Sequence, residues 1–149
     1  MQSERASGNR DVYKRHMVEV FDNSAKLDVL VIDDDPIMRD LLADWLEAAG
    51  YRVSKAADCR SAAGDLDRAP ALVVSDMWMP GPCGAEAISW MRQKHPGLRV
   101  IAVSGHFGSG QGCTEQAAKR AGAAQALAKP VKRAELLTAV AELIGPAGG

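Results

Sequence analysis

An apolar run over residues 29–32 ends abruptly in Asp33, Asp34 and Asp35, within the stretch VLVIDDDPIMRD. Adjacent carboxylates repel, and a pair held about 4 Å apart costs on the order of 4 kcal/mol at an effective dielectric of 20. Something cationic belongs beside them. Three more polar residues stand at comparable places, each just after a short apolar run: Asp76 in VVSDMWMPGPCG, Ser104 in VIAVSGHFG and Lys129 in AQALAKPV. An acidic cluster, a hydroxyl and an ammonium together suit a hard divalent cation and a phosphoryl group.

The elements that must position these residues are legible as a pattern. From Asp28 onward short apolar runs alternate with longer stretches rich in alanine and leucine, as in a parallel sheet with crossover helices. Strands are expected over residues 29–32, 52–56, 71–75, 100–103 and 124–128, mostly continuous apolar runs suited to burial on both faces. The first helix should start at Pro36, whose missing N–H costs nothing in a first turn. It should carry an apolar stripe of Ile37, Leu41, Leu42, Trp45 and Leu46 and stop at Gly50. Asp58 can cap a helix over 60–66, and further helices are expected over 84–94, 114–121 and 133–144. Ligands of an open parallel sheet collect beyond the carboxyl ends of its strands, where four of the five strands here end in a polar side chain.

Composition narrows the function classes. The 149 residues, 47% of them hydrophobic, suit one globular domain with a real core. Lysine plus arginine (18) nearly balance aspartate plus glutamate (19), which favours neither direct nucleic-acid binding nor an anionic membrane surface. Cys59, Cys83 and Cys113 are odd in number and lack metal-like spacing with His16, His95 or His106, so neither a disulfide framework nor a zinc site is expected. No apolar stretch approaches a membrane span, and MQSERASGNR is polar where a signal peptide needs an apolar core. A cytoplasmic protein without membrane insertion is the expectation. The chain divides into an N-terminal extension over 1–26, a folded domain over 27–145 and a tail over 146–149. In the extension Val12, Tyr13, His16, Met17, Val20 and Phe21 recur at helical spacing, which fits an amphipathic helix or else a mobile terminus.

The acidic pair, the aspartate of SDMWMP, the serine after the fourth strand and the KP after the fifth occur in one order. Together they resemble the response-regulator receiver domains of two-component signalling, over about residues 27–144. The resemblance is to the type of the stand-alone chemotaxis response regulator. It implies an α/β, flavodoxin-like (βα)5 fold, a doubly wound five-stranded parallel sheet of order 2-1-3-4-5. It also implies that Asp76 is the phosphoacceptor, a carboxylate nucleophile forming an acyl phosphate. By the same resemblance Asp34 and Asp76 bind Mg²⁺ directly with the backbone carbonyl of Trp78, while Asp33 acts through a water. The dication would then neutralise the aspartates. Lys129 would pair with one phosphate oxygen and Ser104 would donate to another. A cis bond before Pro130 is implied too. Asp35 falls outside the acidic pair and suits a helix N-terminus.

The chain departs from the family at several places. Many relatives carry an aromatic residue where Ala126 stands, so an aromatic rotamer switch is not expected, and coupling rests on Ser104 and the glycine-rich loop SGHFGSGQGC. Trp78 and His106 lie two positions after Asp76 and Ser104, and the indole is expected to slow self-dephosphorylation by hindering water. Cys83 replaces an aspartate common among relatives.

The expected function is a phosphoacceptor of a two-component or phosphorelay system, a signalling protein rather than an enzyme, which assists its own phosphorylation and dephosphorylation. Its partners would be a sensor histidine kinase or a histidine phosphotransfer protein, and an output protein. A homodimer stays open. Three alternatives compete: a receiver module cut from a larger regulator or hybrid kinase, a phosphorylation-independent pseudo-receiver, and a phosphatase. VIDDDPI also resembles the opening motif of haloacid-dehalogenase-type phosphatases, with Asp33 as nucleophile and Asp35 as acid. That reading needs another acidic pair after the lysine; no aspartate follows Lys129, and Asp76 is left unexplained.

Overall fold

The alternation of apolar runs and alanine-rich stretches resolves, in the computed structural model, into five parallel strands and five helices among the described residues 26–77, 85–105 and 115–147. The strands are β1 (Asp28–Ile32), β2 (Arg52–Ala56), β3 (Leu72–Asp76), β4 (Arg99–Ser104) and β5 (Gln125–Ala128). The helices are α1 (Pro36–Ala48), α2 (Ala63–Asp67), α3 (Ala85–Lys94), α4 (Glu115–Ala121) and α5 (Arg133–Ile144). The sheet order is β2-β1-β3-β4-β5, as the resemblance implies. The central strands are buried on both faces, which is why they read as unbroken apolar runs.

Alternation along the strands divides the core in two. Leu30, Ile32, Val73, Val100 and Ala102 pack with Leu66, Ile88, Met91 and Ala118 on one side of the sheet. Val29, Val31, Leu72, Val74, Ile101 and Val103 pack with Leu42, Leu46, Leu136 and Val140 on the other. Each fully buried aliphatic side chain stabilises the fold by roughly 1.5–3 kcal/mol, and together these faces hold the strand ends in register.

Local signals fix the helix ends. Pro36 opens α1, and Asp35 caps it by accepting the Ile37 N–H at 3.0 Å. The helix closes as a Schellman motif: Gly50 N–H donates to Glu47 O at 2.9 Å and Tyr51 N–H to Leu46 O at 3.1 Å. Gly50 supplies the required left-handed conformation with φ of 106°. The Tyr51 hydroxyl then donates to Gly145 O at 2.8 Å, tying the end of α1 to the end of α5. Burial raises the tyrosine pKa, only partly offset by a hydrogen bond from the Ala147 backbone.

Three expectations need correction. The apolar stripe of α1 is narrower than the sequence suggests: Leu42, Ala43 and Leu46 are buried, whereas Ile37 is 80% exposed and Leu41 39% exposed. Ile37 and Leu41 lie one turn apart on the outer side, about 100° from the Met38–Leu42 line. The helix expected over 60–66 is regular only over Ala63–Asp67. Before it stands a capped turn in which the Asp58 carboxylate accepts the Ser61 N–H at 2.7 Å and Ser61 Oγ accepts the Asp58 N–H at 3.2 Å. This is the reciprocal pattern of a capping box, with serine in the position usual for glutamate. Third, β1, β3, β4 and β5 differ from the expected bounds by one residue at some ends, the scale on which ends fray, while the expected first residues of α3 and α4, Gly84 and Thr114, lie outside the described residues. The amphipathic pattern from Val12 to Phe21 lies outside the described residues.

Candidate functional site

Strand register places the acidic residues together. Ile32 pairs with Ser75 across β1 and β3, so Asp33, just past one strand, stands beside Asp76 at the end of the other. These two strands flank the point where the chain turns to opposite sides of the sheet, the usual location of a ligand crevice. Oxygens of Asp33, Asp34 and Asp76 all lie within 4.8 Å of one another. Asp33 and Asp76 are buried, whereas Asp34 is exposed, so the cluster opens to water on one side.

The next two strands bring the other candidates. Ser104 ends β4 buried, beside Ala128 of β5, and its carbonyl accepts the Lys129 N–H at 3.0 Å. From there the lysine side chain reaches past the end of β4. Its Nζ lies 3.4 Å from Asp33 Oδ2 and 3.4 Å from Asp76 Oδ2. One ammonium therefore bridges two carboxylates that burial would otherwise set against each other. The Lys129–Pro130 bond is cis. The four charged side chains expected at the site thus converge directly, and Ser104 sits one strand away at the same edge.

Asp33 is held on every side. Its N–H donates to Ala56 O at 3.1 Å, its Oδ1 accepts the Asp35 N–H at 2.9 Å, and its carbonyl accepts Arg39 Nη1 at 3.0 Å. Asp35 spends its carboxylate on the cap of α1, which removes it from the cluster. Arg39 is not among the sequence candidates. The available signal is a basic residue in the first turn of the helix that follows the aspartates, where a cation is unfavourable to the helix dipole and therefore calls for a local partner.

Three oxygen donors of this kind fit a hard cation, and an open side leaves room for retained waters, as Mg²⁺ prefers. Ala126 packs against the core beside the buried cluster and offers no ring to turn. Trp78, Cys83 and the loop from His106 to Thr114, on which the expectations about phosphoryl lifetime and loop coupling fall, lie outside the described residues.

Residues 29–141 match the family model described as the response regulator receiver domain. An uncharacterized 14.6 kDa protein of Leptolyngbya boryana is 40% identical over 119 residues, covering 78% of this chain and 88% of that protein. The C4-dicarboxylate transport transcriptional regulatory protein DctD of Pseudomonas aeruginosa is 37% identical over 121 residues, which cover 78% of this chain and only 25% of that regulator. Among solved structures, the receiver domain of NtrX from Brucella abortus superposes with a TM-score of 0.72 at 34% identity, covering 78% of this chain and 98% of that one.

Proposed function

The chain belongs to the response regulator receiver domain family, and from this premise we propose that Asp76 accepts a phosphoryl group from a phosphohistidine. The observation that carries the reading is the convergence of Asp33, Asp34, Asp76 and Lys129 at one strand edge. In the transfer, an Asp76 carboxylate oxygen forms a bond to phosphorus as the bond from phosphorus to the donor imidazole nitrogen breaks. The electron pair leaves with the imidazole. Lys129, whose Nζ lies 3.4 Å from Asp76 Oδ2, would hold a phosphoryl oxygen with a charge-assisted hydrogen bond, and Ser104 would donate to another. Asp33, Asp34 and Asp76, with the carbonyl of Trp78, would hold Mg²⁺, Asp33 through a water. When bound, the ion supplies positive charge against the carboxylates and the incoming phosphoryl oxygens.

The donor would be a sensor histidine kinase or a histidine phosphotransfer protein in the cytoplasm, and the phosphorylated form would change affinity for an output protein. Residues 27–145 form the receiver in this reading, flanked by the extension and the short tail. The role is that of a signalling phosphoacceptor that assists its own phosphorylation and dephosphorylation. The phosphatase alternative loses its acid, because the Asp35 carboxylate caps α1.

The test is incubation of the purified chain with acetyl phosphate, with and without Mg²⁺, followed by intact mass for wild type and Asp76→Asn. A Mg²⁺-dependent phosphoryl adduct confined to the wild type is expected. A folded protein that forms no adduct overturns the reading in favour of a pseudo-receiver, and phosphate release that survives loss of Asp76 revives the phosphatase.

A further inference from the structure

We infer that Arg39 is a positioning residue for the metal-binding carboxylates, acting through its hydrogen bond to the Asp33 carbonyl. The inference rests on the Mg²⁺ reading above. The carbonyl that accepts Arg39 Nη1 at 3.0 Å belongs to the peptide unit joining Asp33 to Asp34. Rotation of that unit changes ψ of Asp33 and φ of Asp34 together, so it swings the Asp34 side chain relative to its neighbours. Of the three clustered carboxylates, Asp34 alone is exposed and without burial to confine it.

The flanking contacts secure what lies on either side. Asp33 N–H is fixed on Ala56 O, and Asp35 is fixed by its N–H on Asp33 Oδ1 and by its carboxylate on Ile37 N–H. Arg39 secures the plane between these points. The arginine is itself rooted in α1, where its N–H donates to Asp35 O at 2.8 Å, and its side chain is half-buried. The guanidinium meets a carbonyl and leaves the Asp33 carboxylate to its contacts with the Asp35 N–H and Lys129. A planar guanidinium presents its donors in a fixed fork, which suits it to holding one carbonyl in place.

Two explanations of Arg39 predict opposite signs. If it acted only as a charge beside the acidic cluster, its removal would leave the site more negative and tighten Mg²⁺ binding. If it positions Asp34, its removal weakens binding, by the 10–100-fold typical of residues that orient metal ligands. The experiment titrates Mg²⁺ into the full chain by calorimetry and by backbone amide shifts of Asp33 and Asp35, for wild type, Arg39→Ala and Arg39→Lys. Weakening of roughly tenfold or more in Arg39→Ala is expected, and Arg39→Lys, which keeps the charge but not the planar donor, should restore part of it. Should the alanine variant unfold, Arg39→Met keeps the apolar stem, removes the donor and reads the same comparison. Unchanged or tighter Mg²⁺ binding in a folded Arg39→Ala or Arg39→Met overturns this inference alone. A wild type that takes up no Mg²⁺ overturns the metal reading and this inference with it.

Discussion

Lys129 and Asp76 meet across 3.4 Å, ammonium to Oδ2, although β4 lies between the strands that carry them. The lysine gains that reach because its own N–H is fastened to the Ser104 carbonyl, which sets the start of the side chain at the edge of the crevice. The same ammonium also lies 3.4 Å from Asp33. With no cation bound, two buried carboxylates are thus made tolerable by one internal ammonium, which is also the group proposed to meet the phosphoryl oxygen.

Lys129→Met should therefore destabilise the metal-free protein. Removing one partner of a buried ion pair costs about 3–5 kcal/mol, and solvent reaches this lysine, whose side chain is 23% exposed, so a loss of about 2 kcal/mol is expected. Mg²⁺ should then stabilise the variant more than the wild type, because the dication replaces the missing charge. Urea midpoints with and without Mg²⁺ measure both quantities, and equal Mg²⁺ responses would separate the lysine from the metal site.

Asp76→Asn should move stability the other way. The Asp76 carboxylate has two like charges, Asp33 and Asp34, within 4.8 Å and one ammonium at 3.4 Å. Neutralising it relieves two repulsions at the cost of its attraction to Lys129, and Asp33 keeps the lysine. The metal-free variant should gain about 1 kcal/mol at low salt, and less as salt screens the cluster. Its response to Mg²⁺ should shrink at the same time. Thermal unfolding with a chelator present, at two salt concentrations, checks the sign.

Much of this site is legible before any coordinates, because its parts sit at strand ends and strand ends are marked by abrupt changes in hydropathy. Asp33, Ser104 and Lys129 each follow an apolar run directly, and Asp76 follows one after a single serine. Strand order comes from the family resemblance, since periodicity carries no information about which strands are neighbours. What escapes is longer in range or subtler in angle. Arg39 reaches back across a turn, a contact that depends on the helix starting at Pro36 and on the side chain folding toward the N-terminus. Ile37 and Leu41 share the spacing of an amphipathic helix, yet a difference of about 100° in phase separates the covered line from the open one.

Gly122→Ala should be costly for two independent reasons. Gly122 has φ of 116° in the Schellman motif that ends α4, where Gly122 N–H bonds Lys119 O and Ala123 N–H bonds Ala118 O. A side chain there would also run into Arg92, whose guanidinium donates to Gly122 O at 3.0 Å and Pro96 O at 3.2 Å. Backbone strain of about 1–2 kcal/mol is expected from the conformation alone, with more from displacing Arg92. Denaturant unfolding of Gly122→Ala, Arg92→Ala and the double variant tests the division: in the Arg92→Ala background the glycine change should cost only the part due to φ.

Acid sensitivity should be traceable in part to Asp58. The Ser61 backbone N–H, and after it the Ser61 hydroxyl, hold the Asp58 carboxyl below its ordinary value of 3.8. A carboxylate whose pKa is lower in the folded state contributes stability that is present above the unfolded value and is lost as pH falls through the folded one. Asp58→Asn keeps an acceptor for the Ser61 N–H but loses the titration. Wild type should therefore exceed the variant in stability at about pH 6, and the gap should close as pH drops through about 4 toward 2. Every other residue is common to both proteins, so the difference between them isolates Asp58. Urea midpoints for the pair across that range provide the measurement, and a gap independent of pH would show that the asparagine variant is weaker through geometry and not through charge.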